Sequence, residues 1–351
     1  MRLAVVILNW NGEAFLRRFL PGVIACSTGT GAPEGCQVTV VVADNASTDN
    51  SLRWLSDTYG EGGDSRVRLL AFDENYGFTG GYNRALAHEA LASFDAYLLL
   101  NSDVEVTPGW LEPLVALFEA EPTVGAAMPK LRSYDRQAYF EYAGAAGGFI
   151  DRLGYPFCRG RIFGTVERDE GQYDTVRDIF WATGAALLIR AEVWRQAGGF
   201  EETFFAHMEE IDLCWRLHRM GWRVAVAPQS VVYHVGGGAL PASSPRKIYL
   251  NFRNNLAMLY RNLSLGHFAV LYFIRFWLDG GQAAAYLCTG RRAFAGAVVR
   301  GHRDFWCRMR SGLRRERWNG FALPSPRVMY RGSVALRYLF GWRRFGKMMR
   351  K

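Results

Sequence analysis

The first 130 residues alternate between short apolar runs and segments in which apolar residues recur every three or four positions. An uninterrupted apolar run of roughly four to eight residues is typical of a strand buried on both faces. The runs are Leu3–Leu8, Gln37–Ala43, Val67–Phe72, Ala96–Leu100 and Val124–Met128. The predicted helices begin near Glu13 and cover Ser51–Tyr59, Gly80–Ala92 and Pro108–Glu119. This alternation predicts an α/β fold, with a Rossmann-like, mostly parallel sheet flanked by helices.

The pattern changes after the fifth run. Residues 133–177 are rich in Gly, Tyr and Arg and predict loops or a small hairpin. The later predicted elements are the strand Ile179–Ile189, the helices Ala191–Ala197 and Glu209–Met220, and the short strands Val224–Ala227 and Val231–Tyr233. Gly and Pro residues over 236–245 predict a flexible junction. We therefore predict a main domain over residues 1–240 and a C-terminal basic helical region over residues 241–351.

Charge is divided unevenly between these two parts. The chain has 42 Lys and Arg against 33 Asp and Glu, a formal net charge of +9. From Leu240 onward there are 22 basic and three acidic residues. Residues 1–239 therefore hold 20 basic and 30 acidic residues. Aromatic residues are interleaved with the basic ones, and a basic aromatic surface suits nucleic acid or an anionic membrane. The sequence shows no nucleic-acid motif, so we expect a membrane surface and no nucleic acid, with a homo-oligomer interface as the alternative.

Cysteine usage and hydropathy predict a cytoplasmic protein. The six cysteines are scattered, without a CxxC pair or zinc spacing, as reduced thiols are. The N-terminal apolar run is too short for the core of a signal peptide. The best candidate span, Phe268–Leu287, is interrupted by Arg275, Asp279 and two glycines, whereas a spanning helix needs about 18 apolar residues. We expect peripheral attachment at the inner face of the cell membrane.

Polar clusters follow four of the predicted strands. Ligands in open α/β sheets bind beyond the carboxyl ends of the strands. The clusters contain Asn9 and Asn11, then Asp44, then Asn75, Gly77, Phe78 and Asn83, and finally Asn101, Ser102 and Asp103. Each cluster alone could cap a helix or form a turn. Their coincidence at one edge of the sheet predicts a ligand site.

Two aspartates in these clusters carry the clearest chemistry. Asp103, beside Asn101, is a hard oxygen ligand suited to Mg²⁺ or Mn²⁺, and such an ion would bridge a diphosphate. The structural alternative is a cap on the turn towards Pro108. Asp44 can accept the imide N–H of uracil or thymine, and its alternative is an Asx-turn.

Six segments resemble family 2 of the nucleotide-sugar glycosyltransferases. They are VVILNWNG, VVVADNASTDNS, ENYGFTGGYNRA, LLLNSDVEV, WATGAALLIRAEVW and FFAHMEEIDLCWRLHRMGWRVAVAPQSVVYHVGGG. They cover about residues 1–240 in the family's order, and the chain resembles most the bacterial branch that contains rhamnosyltransferases and galactofuranosyltransferases. The resemblance implies the GT-A fold, with residues 1–240 as the catalytic domain.

The resemblance also implies roles for the residues at the sheet edge. The nucleotide and sugar of the donor would be held by Asn9, Asn11, Asp44, Asn75, Gly77, Phe78, Asn83 and Ser102. The metal-binding Asp-x-Asp of the family is Asn101-Ser102-Asp103 here, so Asp103 would carry most of the metal binding and the affinity would be weaker. His234 stands where relatives complete the metal site with a histidine.

The acidic residues at the start of the Glu209–Met220 helix are the catalytic candidates. By the resemblance Glu210 takes the place of the general base, and Glu209 and Asp212 are its neighbours. An acidic first turn is also favoured by the helix dipole alone. The resemblance places Trp181, Thr183 and Gly184 on the acceptor side, and Arg253 is a candidate phosphate contact.

The implied reaction is an inverting, metal-dependent glycosyl transfer. The donor would be a UDP- or dTDP-sugar, rhamnose being favoured by the resemblance. The acceptor would be a hydroxyl of a lipid-linked or cell-surface polysaccharide. A nucleotidyltransferase would release pyrophosphate and should show a Gly-rich, Lys-bearing phosphate loop near the N-terminus, which this sequence lacks. A non-catalytic nucleotide- or glycan-binding module would not need the acidic cluster at 209–212.

Overall fold

The computed structural model of the protein describes residues 1–60, 64, 66–236, 244–310, 312–313 and 328–349. Its helices are α1 (Glu13–Ser27), α2 (Ser51–Tyr59), α3 (Gly77–Ala87), α4 (Glu112–Ala120), α5 (Ala191–Ala197), α6 (Glu209–Arg219), α7 (Pro245–Asn262), α8 (Leu265–Cys288), α9 (Arg292–Asp304), α10 (Val334–Leu339) and α11 (Phe345–Met348). Its strands are β1 (Arg2–Asn9), β2 (Gln37–Asp44), β3 (Val67–Ala71), β4 (Ala96–Asn101), β5 (Val104–Val106), β6 (Val124–Ser133), β7 (Gly148–Asp151), β8 (Pro156–Cys158), β9 (Arg161–Ile162), β10 (Thr165–Val166), β11 (Arg177–Asp178), β12 (Ala186–Arg190), β13 (Arg223–His234) and β14 (Met329–Tyr330).

A large sheet forms the centre of the fold. Within the described residues it has nine strands in the order β11-β13-β6-β12-β4-β1-β2-β3, with β5 paired to β13. The strands β3, β2, β1 and β4 are parallel, as are β6 and β13, whereas β12 is antiparallel to both of its neighbours. The strands β1 and β4 are buried along most of their length, as uninterrupted apolar runs predict. The predicted α/β fold with a mostly parallel sheet is therefore confirmed.

The register of this sheet brings the strand ends together. Asn9 pairs with Asp44 between β1 and β2, and Leu8 pairs with Asn101 between β1 and β4. His234, the last residue of β13, pairs with Val104 of β5. The polar residues that end these strands consequently share one edge of the sheet.

A second sheet lies where the sequence predicts loops or a hairpin. Its strands are ordered β10-β9-β8-β7-β14, and each has two to four residues. Strands this short contain too few alternations for a periodicity to be recognised. The strand β14 comes from the C-terminal region and pairs in parallel with β7. The expectation that this region is helical to its end is therefore wrong at β14.

The two short strands predicted near residue 230 are one strand, β13. Its pairing with β6 shifts register between Ala227 and Val231. The shift spans Pro228, which has no N–H to donate, and a bulge lets a strand continue past such a residue. The predicted strand Ile179–Ile189 is also shorter than expected, because only 186–190 join the sheet as β12.

The C-terminal helices pack against the main domain. Helix α7 lies against α6 and α9, and its Arg261 and Asn262 donate to the carboxylate of Asp212 in α6. The predicted boundary at residue 240 falls within 237–243, outside the described residues, and the division of the chain at that point stays a prediction. In the described part of the chain, no helix combines the length and apolar character that crossing a bilayer requires.

Candidate active site

The ends of β1 and β2 are joined by buried side chains. Nδ2 of Asn9 donates to Oδ2 of Asp44 at 2.9 Å and to Oγ of Ser47 at 3.1 Å, while Oδ1 of Asp44 accepts the N–H of Ser47 at 2.9 Å. Asn9 and Asp44 are 0% and 1% exposed. Both oxygens of Asp44 thus already accept hydrogen bonds from the protein. A hydrogen bond from a nucleobase would use a remaining lone pair. Oδ1 of Asn9 is buried without a partner among the described residues.

Asn11 links the loops that follow the same two strands. Its N–H donates to Oγ of Ser47 at 2.9 Å, and its Oδ1 accepts the N–H of Thr48 at 2.7 Å. The backbone of Asn11 is left-handed, with φ of 52°, which asparagine tolerates better than most residues. The predicted donor residue Asn11 therefore shapes the loop wall.

Asn45 organises the third cluster, although the sequence analysis did not select it. Its Nδ2 donates to Oδ1 of Asn75 and to the carbonyl of Gly77, both at 3.0 Å, and its Oδ1 accepts the N–H of Tyr76 at 3.1 Å. Oδ1 of Asn75 also accepts the N–H of Gly77 at 2.8 Å. Asn75 and Gly77 are therefore held rigidly beside Asp44. Its position directly after Asp44, at the end of β2, is the feature of the sequence that could have identified Asn45.

Phe78, Gly184 and Glu210 meet on one side of this edge. A side-chain carbon at Gly184 would lie 3.3 Å from Cζ of Phe78 and 3.9 Å from Cβ of Glu210. Gly77 precedes Phe78 with φ of 69°, and a side-chain carbon there would lie 2.8 Å from the ring of Phe205. Only glycine fits that position. The predicted donor, acceptor and base residues are thus brought together at this point.

Asn83 serves to join two segments. Its amide donates to the carbonyl of Phe200 at 2.9 Å and to Glu202 at 3.1 Å, and accepts the N–H of Phe200 at 2.9 Å. These bonds tie α3 to the segment before α6. The predicted donor contact of Asn83 would have to compete with them.

Asp103 and His234 form a buried polar pair. Nε2 of His234 lies 3.1 Å from Oδ1 of Asp103, and Oδ2 of Asp103 accepts the N–H of Gly236 at 3.2 Å. Burial would raise the pKa of Asp103, but the hydrogen bond and charge of His234 lower it below its usual value. Burial would lower the pKa of His234, but the charge of Glu141 and the bond to Asp103 raise it to about 10.

Glu141 is a third member of this group that the sequence analysis missed. Its Oε1 lies 3.5 Å from Nδ1 of His234, and its Oε2 accepts the N–H of Ala143. Both Glu141 and His234 are buried. Metal-bound histidines usually direct their second ring nitrogen at such a carboxylate, which fixes the ring. Glu141 lies in the irregular segment 133–177, where no pattern in the sequence marked it.

A divalent ion would bind Asp103 and His234 in place of the proton that the raised pKa of His234 keeps on its ring. Oδ1 of Asp103 and Nε2 of His234 lie 3.1 Å apart, so one ion could take both atoms as ligands. Among the described residues no group of three His, Cys, Asp or Glu side chains converges as a metal cage. The other ligands would be diphosphate and water oxygens. Asn101 ends β4 nearby, and Oγ of Ser102 lies 3.5 Å from where a side-chain carbon at Gly12 would be.

Two carboxylates with buried oxygens begin α6. The Oε2 atoms of Glu209 and Glu210 are buried without a hydrogen-bond partner among the described residues. Burial raises the pKa of Glu210 to about 7. Burial and the charge of Glu210 raise the pKa of Glu209 well above its usual value. A carboxylate that titrates near neutral pH is suited to general base catalysis.

Asp212 differs from both glutamates, and the structure gives it a structural role. It is 0% exposed. Its Oδ2 accepts from Nε of Arg216 at 3.0 Å and from Arg261, and its Oδ1 accepts from Nδ2 of Asn262 at 2.7 Å. Because both oxygens accept from buried groups of the protein and the residue is fully buried, the structure favours a structural role for Asp212 over contact with an acceptor hydroxyl. The expectation that Asp212 shares the work of the base stays a prediction, and the network makes Glu210 the better candidate.

The loop before Glu209 is strained and held from α7. Phe205, His207 and Met208 have positive φ angles of 64°, 70° and 75°, and such conformations cost about 1–3 kcal/mol each in non-glycine residues. Nδ2 of Asn254 donates to the carbonyls of Phe204, Ala206 and His207 at 2.9, 2.8 and 2.8 Å. These bonds fix the backbone that carries the acidic pair.

Arg253 supports the same loop. Its guanidinium donates to the carbonyl of Phe204 at 3.0 Å and that of Thr203 at 3.3 Å, and to Oδ1 of Asn254 at 2.9 Å. The third nitrogen donates to the hydroxyl of Tyr249 at 3.4 Å. Every guanidinium nitrogen of Arg253 thus has a protein acceptor. The structure favours loop support over the predicted phosphate contact.

Trp181 and Thr183 are buried behind the acceptor side. Nε1 of Trp181 donates to the carbonyl of Phe149 at 3.0 Å, and its ring covers Gly148, where a side-chain carbon would lie only 2.1 Å away. Oγ1 of Thr183 accepts the N–H of Ala185 at 3.2 Å. Of the three predicted acceptor residues, Gly184 is therefore the one placed beside Glu210.

Comparison with known proteins identifies the family. Residues 1–258 match the family described as "Glycosyltransferase like family 2". The chain belongs to glycosyltransferase family 2. This glycosyltransferase is 31% identical over 244 residues to the N-acetylglucosaminyl-diphospho-decaprenol L-rhamnosyltransferase of Mycobacterium tuberculosis, which covers 66% of this chain and 75% of that protein.

Solved structures of glycosyltransferases share the fold of this glycosyltransferase. The mannosyltransferase PcManGT of Pyrobaculum calidifontis, in complex with GDP-Man and Mn²⁺, has a TM-score of 0.52 and 15% identity, covering 87% of each chain. TarS of S. aureus in complex with UDP-GlcNAc has a TM-score of 0.54 and 14% identity, covering 87% of this chain and 80% of that one. The predicted GT-A fold is confirmed.

Proposed function

We propose that this glycosyltransferase moves a hexosyl group, with L-rhamnose as the first candidate, from a UDP- or dTDP-sugar to a hydroxyl of a lipid-linked or cell-surface polysaccharide acceptor. The name of the mycobacterial relative, an L-rhamnosyltransferase that acts on a diphospho-decaprenol, supports this sugar and acceptor class. The observation that carries the reaction type is the convergence of Phe78, Gly184 and Glu210 at the sheet edge.

Glu210 is the proposed general base. Its buried Oε2 has no partner among the described residues, so it is available to an acceptor hydroxyl. The carboxylate takes the hydroxyl proton while the oxygen attacks the anomeric carbon, the bond to the nucleoside diphosphate breaks, and a single displacement inverts the anomeric centre. A base must lie within about 3 Å of the proton it removes, and a side chain at Gly184 would crowd Phe78 and Glu210 on the side where the acceptor is proposed to bind.

Asp103 and His234 are the proposed holders of Mn²⁺ or Mg²⁺. When bound, the ion would act as a Lewis acid on the diphosphate leaving group. The protein's part is to hold the two ligand atoms 3.1 Å apart at a buried position. Glu141 orients His234 from behind.

The donor nucleotide lies along the other clusters in this proposal. Asn9, Asn11 and Asp44 form the wall for a pyrimidine base, and the rigid Asn75–Gly77 turn faces the sugar. The carboxylate of Asp44 pairs with the imide N–H of uracil and thymine alike, which is why UDP- and dTDP-sugars are both retained.

Cytoplasmic nucleotide sugars and a lipid-linked acceptor meet at the inner face of the cell membrane, and we place the enzyme there as a peripheral protein. The basic, aromatic composition of the C-terminal region supports this location.

Thermal shift with UDP, dTDP, ADP and GDP, with and without Mn²⁺, tests donor binding. Binding to the folded state raises the melting temperature, and we expect this for UDP or dTDP with Mn²⁺. The shift should vanish in Asp103→Ala and persist in Asp57→Ala, a control at an exposed aspartate of α2. No shift with either pyrimidine nucleotide would contradict the proposal, and release of pyrophosphate instead of a nucleoside diphosphate would point to a nucleotidyltransferase.

A further inference from the structure

Helix α8 has one buried side and one broad exposed side. Its buried residues are Phe268, Leu271, Arg275, Asp279 and Ala283, which recur every three or four positions and so form a single stripe. With 24 residues the helix is about 36 Å long. The remaining surface of this length faces away from the protein.

The exposed side is apolar. Its large hydrophobic residues are Leu265, Val270, Phe273, Ile274, Phe276, Trp277, Leu278 and Leu287. Val270, Phe273 and Trp277 are 65%, 65% and 66% exposed. A contiguous apolar surface of this kind on a folded protein marks an interaction site.

The two charged residues of α8 point inward and do not interrupt this face. Arg275 and Asp279 are 2% and 1% exposed. Nε of Arg275 donates to Oδ1 of Asp279 at 3.2 Å, and the same oxygen accepts from the hydroxyl of Tyr155 at 3.0 Å. Their charges are neutralised inside the protein, so the exposed face of α8 carries no charged side chain of this helix.

A groove runs between α8 and the helical turn that follows α9. It has a volume of about 450 Å³ and is lined by Tyr260, Leu265, Phe268, Ala269, Tyr272, Phe273, Phe276, Trp306 and Arg310. Apart from the tyrosine hydroxyls, Arg310 supplies the polar group of this lining, and its guanidinium lies 4.9 Å from the ring centre of Trp306. The groove continues the exposed apolar face of α8, since Leu265, Phe273 and Phe276 belong to both.

The charge around the apolar face selects between partners. Arg291 and Arg292 follow α8 directly and are exposed, as is Arg310. The two acidic residues in the described part of the chain after residue 243, Asp279 and Asp304, are both buried. A second copy docked face to face would bring arginines against arginines, whereas anionic headgroups would neutralise them.

We propose that the exposed face of α8 docks on an anionic lipid bilayer, with Phe273 and Trp277 in the boundary between headgroups and acyl chains and the arginines on lipid phosphates. This inference goes beyond the transfer reaction and gives the proposed membrane location a defined surface. It also positions a lipid-linked acceptor, because its chain would share the bilayer that holds the enzyme.

Co-sedimentation of the full chain with vesicles tests this surface. The wild type should bind vesicles of equal parts phosphatidylglycerol and phosphatidylcholine, and bind phosphatidylcholine alone more weakly. We expect Phe273→Ser/Trp277→Ser to lower the partition coefficient at least about tenfold, and Arg291→Gln/Arg292→Gln to lower binding only to the anionic vesicles. Val176→Ser, at another exposed apolar residue, is the matched control and should bind like the wild type.

Unchanged binding by the Phe273→Ser/Trp277→Ser variant would overturn the proposal. So would a wild-type dimer that fails to bind vesicles and that the double substitution converts to monomer, since a second copy would then cover the face. The nucleotide thermal shift on the same variants confirms folding. It also separates the two hypotheses, because loss of vesicle binding with an intact nucleotide shift concerns the membrane surface alone.

Discussion

Nδ2 of Asn254, in α7, donates a hydrogen bond of 2.8 Å to the carbonyl of His207, two residues before the acidic pair. The region beyond residue 240, which the sequence predicts to be separate from the main domain, thus holds the loop that precedes α6. Asn254 is 0% exposed, so water cannot replace its bonds to the loop.

Replacing Asn254 with Ala should loosen this loop without changing the proposed nucleotide-binding residues Asn9, Asn11 and Asp44. The strained residues Phe205, His207 and Met208 would relax, and we expect kcat to fall about 100-fold, since small misplacements of a catalytic group have effects of this size. Steady-state kinetics measure the fall in kcat, and UDP titration measures whether nucleotide binding is unchanged. Asn251→Ala, on the same helix and partly exposed, is the control; equal kcat in both variants would contradict the role of Asn254.

Activity should depend on the protonation of Glu210. Because the carboxylate form removes the acceptor proton and the pKa of Glu210 is about 7, activity should be full above pH 7 and fall as the pH drops below it. Glu210→Gln should lower kcat by about 10²–10⁴ and abolish this pH dependence, while nucleotide binding stays intact. The rate should be measured at intervals of about one pH unit. A pH–rate profile that is flat between pH 5 and 8 would rule out Glu210 as the base.

The same carboxylate should lower stability at high pH. Its pKa of about 7 in the folded protein exceeds the value of about 4.3 expected in an unfolded chain, so the folded state binds more protons between these values and loses stability as the pH rises. Glu210→Gln should therefore stabilise the protein by about 1–3 kcal/mol at pH 8 and little at pH 4.5. Denaturant unfolding measures this, with the exposed Glu119→Gln as control; an equal gain at both pH values would contradict the burial effect.

Asp212→Ala should reduce stability more than catalysis. The substitution leaves Arg216 and Arg261 buried without their shared carboxylate, and breaking such a network costs about 3–5 kcal/mol. Denaturant unfolding should show this loss, whereas donor binding by the folded fraction should persist. A stable Asp212→Ala enzyme without turnover would instead restore Asp212 as a catalytic group.

Glu141→Gln should weaken metal binding while keeping the shape of the site. Loss of the negative charge beside Nδ1 of His234 leaves the ring less firmly oriented, and such substitutions lower metal affinity about 10- to 100-fold. Calorimetric titration of Mn²⁺ into the UDP-saturated protein measures this independently of turnover. Glu105→Gln, on the neighbouring strand β5, is the control, and an unchanged affinity in Glu141→Gln would remove Glu141 from the site.

The sheet edge could be predicted from the sequence, because the ends of parallel strands meet wherever apolar runs alternate with helices. Asn9, Asp44 and Asn101 are placed together by that rule alone. Glu141 could not be predicted, since its approach to His234 depends on the path of an irregular segment. The network around Asp212 could not be predicted either, because helical spacing shows that Asp212 shares the first turn with Glu210, but not that its side chain contacts Arg261 and Asn262 of α7.

The network around Asp212 also sets an order of events during synthesis. The central parallel strands are adjacent to one another in the sheet and can assemble as the chain emerges from the ribosome. Asp212 must wait for Arg261 and Asn262, which are made 49 and 50 residues later. The network that fixes α6 is therefore completed only after the strands that carry Asn9 and Asp44 have been made.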